Sequence, residues 1–406
     1  MPAAHSDELV RPRALILLSE TFADGGIQRF NRTFLSACDR LSVACDVLTF
    51  GDSEVSRQRW AAPRSATIRV FDRDKVRFAL ATFKALLRGG YDFVIIGHVN
   101  LLALVTTCIL PWRAARPRVM LIAHGIEVWT GMETHLRRRA MARVNLVLSV
   151  SRYTRDRIGA QVPELTDDRF TIFPNALSET WTERFASVEH PEVARNLPEK
   201  FLLSVTRLDR GDRYKGIVSV IEALAMLADT SIHYVVAGRG EDREFLQRTA
   251  LRFGLQTRVH FIGAVSDGEL ASLYRKCNAF VLPSGKEGFG IVFLEAMFFG
   301  APVIAAREKG AIDVVRNEET GLTVGYGDTM ALATAMERML SDAGLRAKLR
   351  EAGRATVLDR GRFTFHAYTG RLAQIFGVPA PQPDTAETSR AESSHAFAMH
   401  AGIEGT

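Results

Sequence analysis

The stretch Ser284-Gly-Lys-Glu-Gly-Phe-Gly-Ile-Val-Phe-Leu-Glu-Ala-Met-Phe-Phe-Gly300 sets Glu287 and Glu295 on either side of a glycine-flanked turn into an apolar helix. Asn278-Ala-Phe-Val-Leu-Pro283 before it has strand length, and Gly300, Pro302 and the run from Val303 to Ala306 follow it. The pattern is strand, loop, helix, strand. A loop of small residues at the carboxyl end of a parallel strand offers free backbone N–H groups and the positive end of a helix to phosphate. Two carboxylates cannot ligate phosphate there, so they are expected to accept hydrogen bonds from hydroxyl groups. Eight helical steps would separate them by about 12 Å at 1.5 Å per residue, and a turn shortens that. Such a gap suits the two ends of one extended ligand. The spacing equally allows a solvated Glu287 beside a structural turn and a Glu295 facing the helix dipole.

Other strand-to-helix junctions repeat the theme. Ala14 to Leu18 reads as a strand, Gly25-Gly26 as a close-approach turn, and Ile27, Phe30, Phe34 and Cys38 as one face of a helix. Val119 to Ala123 delivers His124-Gly-Ile-Glu127 to its carboxyl end, the edge where doubly wound sheets bind ligands. Phe201 to Val205 is followed by Thr206-Arg-Leu-Asp-Arg-Gly-Asp-Arg-Tyr-Lys-Gly216, which places Arg207 and Lys215 where cations can fork onto a diphosphate. Lone loop cations are commonplace; two on one such junction point to a site. Gly238-Arg-Gly240 is too short for a dinucleotide fingerprint. Asp72-Arg-Asp74 has the form of a metal-binding dipeptide pair, but it lies far in sequence from these junctions and no metal is assigned to it.

At 406 residues and 47% apolar, the chain suffices for two domains with separate cores, and the strand-helix rhythm predicts an α/β fold. Domain boundaries are expected at 1–172, a linker at 173–200, a second domain at 201–362, a helix at 363–378 and a disordered tail at 379–406. Phe170-Thr-Ile-Phe-Pro-Asn175 reads as the start of the linker. Four scattered cysteines fit a reduced, cytoplasmic setting rather than a disulfide framework or a zinc site. The start of the chain lacks a secretory pattern, and the longest apolar run, Leu101 to Trp112, is too short to span a bilayer. Residues 1–180 carry a formal net charge of +7 and residues 181–406 one of −1. Arginine and lysine clusters at 73–88, 113–118 and 137–143 mix with apolar residues, which predicts attraction to an anionic membrane surface on the inner face of the membrane. Nucleic acid is not expected, since no recognition motif accompanies the charge.

Glu287-Gly-Phe-Gly-Ile-Val-Phe-Leu-Glu295, with Gly25-Gly26, His124-Gly-Ile-Glu, Thr206-Arg-Leu-Asp, Tyr214-Lys-Gly and Thr320-Gly-Leu in that chain, resembles the retaining family 4 glycosyltransferases of the GT-B class over residues 13–376. The resemblance implies two Rossmann-like doubly wound domains facing each other across a cleft. It implies catalytic roles for His124, near the anomeric carbon, and Glu287, on the donor sugar's hydroxyls. It assigns donor binding to Gly26, Arg207, Lys215, Gly263, Phe289, Gly290, Ile291 and Glu295. Arg207 and Lys215 would neutralise the diphosphate in place of a metal, Glu295 would take the ribose, and residues around Gly263 would line the base pocket.

The implied reaction is metal-independent transfer of a hexose, mannose foremost, from GDP-mannose or a UDP-hexose to a lipid-linked or membrane-associated glycan in cell-surface polysaccharide synthesis. No cofactor is expected. The alternative is a non-catalytic nucleotide-sugar sensor or scaffold of the same fold, and an epimerase or phosphorylase is a third reading. Ala176 after Asn175, and Gly310 as the single glycine in Arg307 to Ala311, depart from the family pattern and bear on acceptor and sugar preference.

Overall fold

Short aliphatic runs buried on both faces form two parallel sheets, as such runs must when helices cover each side. The computed structural model describes residues 11–23, 25–58, 60–109, 117–132, 134–178, 182, 197–358 and 362–381. The first sheet contains β1 (Arg13–Leu18), β2 (Ala44–Thr49), β3 (Ala66–Val70), β4 (Phe93–Ile96), β5 (Arg118–Ala123), β6 (Leu146–Ser149) and β7 (Phe170–Ile172), in the order β3-β2-β1-β4-β5-β6-β7. The second contains β8 (Phe201–Val205), β9 (His233–Ala237), β10 (Val259–Gly263), β11 (Ala279–Leu282), β12 (Val303–Ala306) and β13 (Leu322–Val324), in the order β10-β9-β8-β11-β12-β13. The strand order reverses between β1 and β4 and again between β8 and β11, and these are the crevices in which doubly wound sheets hold ligands.

The alternation of side chains along β1 shows why both faces are covered. Ala14, Ile16 and Leu18 join one apolar cluster with Phe30 and Phe34, while Leu15 and Leu17 join the other with Phe78 and Leu121. The helix Phe365–Phe376 closes the chain back onto the first sheet's side. Tyr368 packs 4.5 Å from Phe173 and 6.0 Å from Phe30, ring to ring, and Phe376 lies 4.9 Å from Phe93.

Three features differ from the sequence reading. Phe170–Ile172, expected at the start of the linker, is an edge strand paired with β6; three residues are too few for a period to declare itself. The helices Arg243–Arg252 and Ala343–Leu358 were not anticipated, because in the second only Leu349, Gly353 and Val357 are buried among mostly charged and small neighbours. Asp72-Arg-Asp74 is a helix start. Asp72 and Arg73 adopt φ of 46° and 62°, and the Asp74 carboxylate accepts from the Arg77 N–H at 3.0 Å to cap the helix Lys75–Arg88. Residues 179–181 and 183–196 of the expected linker, 382–406 of the expected tail, and Trp112, Arg113 and Arg116 of the basic clusters lie outside the described residues.

Candidate active site

The two sheets' domains meet at the segments that follow their strands, where Gly288 touches the His124 main chain and Arg29 pairs with Glu295. After β11, the loop from Pro283 turns at Gly290, whose φ of 90° is left-handed and therefore suits glycine, and the helix Ile291–Phe298 begins at Ile291. Glu287 sits in the loop and Glu295 one turn into the helix. The eight-residue spacing thus combines loop and helix. Phe289 is buried with its ring 5.9 Å from Phe363, which anchors the loop from behind.

The two glutamates have different partners. Lys215, at the end of the 3-10 segment Arg210–Lys215 after β8, donates to Glu287 Oε2 at 2.8 Å, and both side chains are largely shielded from water, at 18% and 13% exposure. Glu295, 2% exposed, pairs with Arg29 and accepts from the Tyr274 hydroxyl at 3.4 Å. Arg207 does not reach either glutamate. Its guanidinium is mostly exposed and pairs at 3.1 Å with Asp212, which is buried and also accepts from the Tyr214 hydroxyl at 2.9 Å. Burial and the Asp212 hydrogen bond push the Tyr214 hydroxyl's pKa up, so it stays a donor. A bidentate pair of Arg213 with Asp242, at 2.5 and 2.7 Å, ties the same segment to the start of the helix Arg243–Arg252.

On the opposite wall, His124 follows β5. Its Nε2 lies 3.0 Å from the Gly97 carbonyl, its ring meets Phe30 edge-on at 4.8 Å, and burial pulls its pKa down to about 4. The imidazole is therefore neutral at physiological pH, with Nε2–H donating to Gly97 and Nδ1 left as an acceptor. Glu127 folds back beneath this loop, and its Oε1 accepts from the backbone N–H groups of His124 and Gly125 at 2.6 and 3.1 Å. The loop meets the loop after β11 directly. A Cβ on Gly288 would fall 2.1 Å from the His124 carbonyl oxygen, so the two main chains touch across the gap only because no side chain stands there. The Gly310 N–H donates to the Glu287 carbonyl at 2.9 Å and backs the loop from the other side. Gly26 opens the helix Gly26–Arg40 after β1, and Gly263 ends β10, two strands beyond β8. Neither has a heavy atom within 4 Å of where its Cβ would stand.

Comparison with known proteins accounts for this arrangement. Residues 24–180 match the family described as Glycosyltransferase Family 4, and residues 187–356 the family described as Glycosyl transferases group 1. Over 288 residues, covering 65% of this chain and 71% of the relative, the sequence is 30% identical to a GDP-mannose-dependent alpha-(1-6)-phosphatidylinositol monomannoside mannosyltransferase from Mycolicibacterium smegmatis. The chain belongs to the group 1, family 4 glycosyltransferases.

Two shorter matches agree with membership in this glycosyltransferase family. An uncharacterized glycosyltransferase from Methanocaldococcus jannaschii is 34% identical over 149 residues, and the lipopolysaccharide core glycosyltransferase LpsE from Rhizobium meliloti is 34% identical over 163. The matched stretches span only 37% and 46% of those two proteins. Solved structures share the GT-B fold of this glycosyltransferase. Sucrose-phosphate synthase from Thermosynechococcus elongatus aligns at TM-score 0.72 and 21% identity, covering 90% of this chain and 98% of that one. HepE from Anabaena, in complex with UDP, aligns at 0.71 and 18%, covering 90% and 99%. The expected two doubly wound sheets are therefore the fold this family 4 chain adopts.

Sequence reasoning gave no site role to Arg29, Asp212, Tyr214, Glu127 and Gly288, although Tyr214 and Glu127 stand in motifs that carry the resemblance. Arg29 had a signal, since it stands three residues after Gly26 on the helix whose start was already suspected. The others act on loop main chain or on a neighbouring side chain, which spacing does not reveal.

Proposed function

We propose that this chain is a retaining, metal-independent hexosyltransferase that moves a hexose, mannose foremost, from GDP-mannose or a UDP-hexose to a lipid-linked or membrane-associated glycan acceptor. The observation that carries the reading is the Lys215–Glu287 pair, held at the β8 and β11 crevice, with Gly288 beside Glu287 meeting the His124 main chain. Lys215 and Arg207 would meet the diphosphate and stabilise the charge it gains as the sugar departs. Glu287 would hold the sugar's hydroxyls while Lys215 holds its carboxylate in place, Glu295 would take the ribose, and the neutral His124 would accept from a sugar hydroxyl through Nδ1. Backbone N–H groups at Phe289, Gly290 and Ile291 would approach the sugar and phosphate, Gly26 would approach from the facing sheet, and the region of Gly263 would take the base. The acceptor would attack from the face the diphosphate leaves, with a departing phosphate oxygen taking its proton. The relative from Mycolicibacterium smegmatis, described as GDP-mannose-dependent, supports mannose as the sugar. The N-terminal unit, 1–172, would receive the acceptor and 201–362 the donor.

Placement of this activity at the inner face of the membrane is supported by the helix Lys75–Arg88. Val76, Leu80, Phe83 and Leu87 stand 68%, 52%, 43% and 57% exposed on it at spacings of four, three and four, so they form one apolar stripe. Lys75, Arg77, Lys84 and Arg88 accompany the stripe and the helix contains no acidic residue, a composition suited to anionic lipid. Among the described residues no helix is long and apolar enough to cross a membrane.

A thermal-stability screen of nucleotide sugars tests the reading. A donor supplied at 100 times its dissociation constant adds about 2.7 kcal/mol, and the best ligand names the base and sugar. Release of nucleoside diphosphate that requires an acceptor, with anomeric configuration kept in the product, is the expected assay result; binding without transfer or hydrolysis would make the chain a sensor instead.

A further inference from the structure

A cavity of about 210 Å³ lies behind the donor loop, on the β6–β7 side where the chain passes between the two domains. Its lining includes Arg152, Arg362 and Arg371, with Asp313, Phe289 and Phe363. Arg152 opens the helix Arg152–Gln161 in the first domain, Asp313 ends the 3-10 segment Lys309–Asp313 in the second, and Arg362 and Arg371 lie on the returning C-terminal segment. The walls are joined through main-chain groups. The Arg152 N–H donates to Asp313 Oδ2 at 2.7 Å, Arg362 Nη2 donates to the Asp313 carbonyl at 2.7 Å, and Arg371 Nη2 donates to the Arg362 carbonyl at 2.8 Å.

The lining thus brings three arginines and one aspartate into one partly enclosed space. Burial lowers the pKa of Arg371, and the neighbouring Arg362 charge acts in the same direction, so the two cations are close enough to repel. A multivalent oxyanion relieves that repulsion, and planar guanidinium groups match its oxygens in pairs.

We propose that this cavity binds a phosphate-class oxyanion, as free phosphate or as the phosphate group of a small ester, at a site separate from the nucleotide-sugar site. Its occupancy would brace the donor loop from behind, since Phe289 belongs to that loop and the segment ending at Asp313 donates from Gly310 to the Glu287 carbonyl at 2.9 Å.

Isothermal titration of the full chain with inorganic phosphate, and separately with glycerol 3-phosphate, at constant ionic strength tests this. Binding of either is expected and identifies the source; binding of neither overturns the proposal. Arg152→Gln, at an exposed position that leaves the fold intact, should weaken binding about tenfold through the loss of a charge-assisted hydrogen bond. Lys215→Ala should leave that binding unchanged. Phosphate affinity indifferent to Arg152→Gln, or abolished by Lys215→Ala, would assign the anion to the donor site and overturn the separate cavity. An unchanged melting temperature for Arg152→Gln, and a single cooperative transition for Lys215→Ala, verify that binding, not folding, is being read.

Discussion

Arg29, on the helix that opens at Gly26, forms an ion pair with Glu295, on the helix that follows the donor loop, and so joins the two domains across the cleft. Glu295 is 2% exposed and Arg29 30%, so the carboxylate depends on this partner far more than the guanidinium does. If Glu295 takes the donor's ribose, the ribose hydroxyls share or displace the Arg29 contact. Removing one partner of a fully buried pair costs roughly 3–5 kcal/mol, and partial exposure of Arg29 tempers that. Arg29→Met is expected to lower unfolding stability in urea by about 2 kcal/mol. Combining it with Glu295→Gln should cost less than the two single changes together, and strict additivity in that cycle would show that the pair is uncoupled.

Lys215 and Glu287 are a second pair whose partner is proposed to change during turnover. Lys215 donates to Glu287 at 2.8 Å, and in the proposed reaction the same ammonium would also face the diphosphate. Lys215→Met should raise the dissociation constant for a nucleoside diphosphate by about tenfold to a hundredfold, the value of a hydrogen bond to a charged group. Affinity for the bare nucleoside should move by less than about twofold. An equal loss for both ligands would place Lys215 outside the phosphate region.

Much of this site was legible because doubly wound sheets concentrate it at strand ends. Apolar runs located β1, β5, β8 and β11, and Gly26, His124, Arg207 and Glu287 lie in the segments that follow those strands. What escaped was pairing. Nothing in the spacing of Arg29 and Glu295, 266 residues apart, announces a contact that depends on how two domains meet. Asp212, one charge among several in the loop after β8, is buried and pairs with both Arg207 and Tyr214. The edge strand Phe170–Ile172 resembled a linker because Pro174 and Asn175 follow it after one residue and its three residues are only partly buried.

Gly288 sets how closely the domains approach. Gly288→Ala would place a methyl group 2.1 Å from the His124 carbonyl and 3.2 Å from Gly125 Cα, both main-chain atoms with little freedom to yield. The two domains should part, with each sheet intact. Transfer is expected to fall by about a hundredfold or more, the scale of misplacing reacting groups, while nucleotide affinity in the second domain stays within about threefold. X-ray scattering should register a larger radius of gyration for the variant, and normal transfer by a closed variant would refute the role of this contact.

His124 makes stability depend on pH. Its folded pKa, about 4, lies below the ordinary histidine value of 6.5, so between these limits the unfolded chain binds a proton that the folded chain refuses. Stability therefore falls as pH drops from 6.5 towards 4, by up to about 3 kcal/mol at 1.36 kcal/mol per pKa unit. Above pH 6.5 the contribution is flat. Urea unfolding across this range should show the slope, and His124→Asn should flatten that part of it; an unaltered slope would mean that other groups carry the acid sensitivity.

The helix Lys75–Arg88 offers a direct test of membrane placement because its apolar stripe is outside the core. Phe78, Ala81, Thr82 and Leu86 hold the helix to the domain, while Leu80 and Phe83 project to the surface and can be changed without loss of packing. The start of this helix is tied to the cleft. Arg73, in the turn before it, donates to Glu20 Oε1 at 3.1 Å, and Glu20 follows β1 in the crevice. A membrane contacting the stripe would thus lie beside the proposed acceptor entrance. Leu80→Glu with Phe83→Glu should cut co-flotation with anionic phospholipid vesicles at least about tenfold, since two inserted apolar side chains are replaced by charge. Wild-type binding should weaken with added salt, because each basic residue near an anionic surface contributes about 1 kcal/mol that screening removes. Nucleotide-sugar binding should be untouched by the substitutions. Equal binding to neutral vesicles, or undiminished flotation of the double variant, would remove this helix from membrane contact while leaving the donor-site assignment standing.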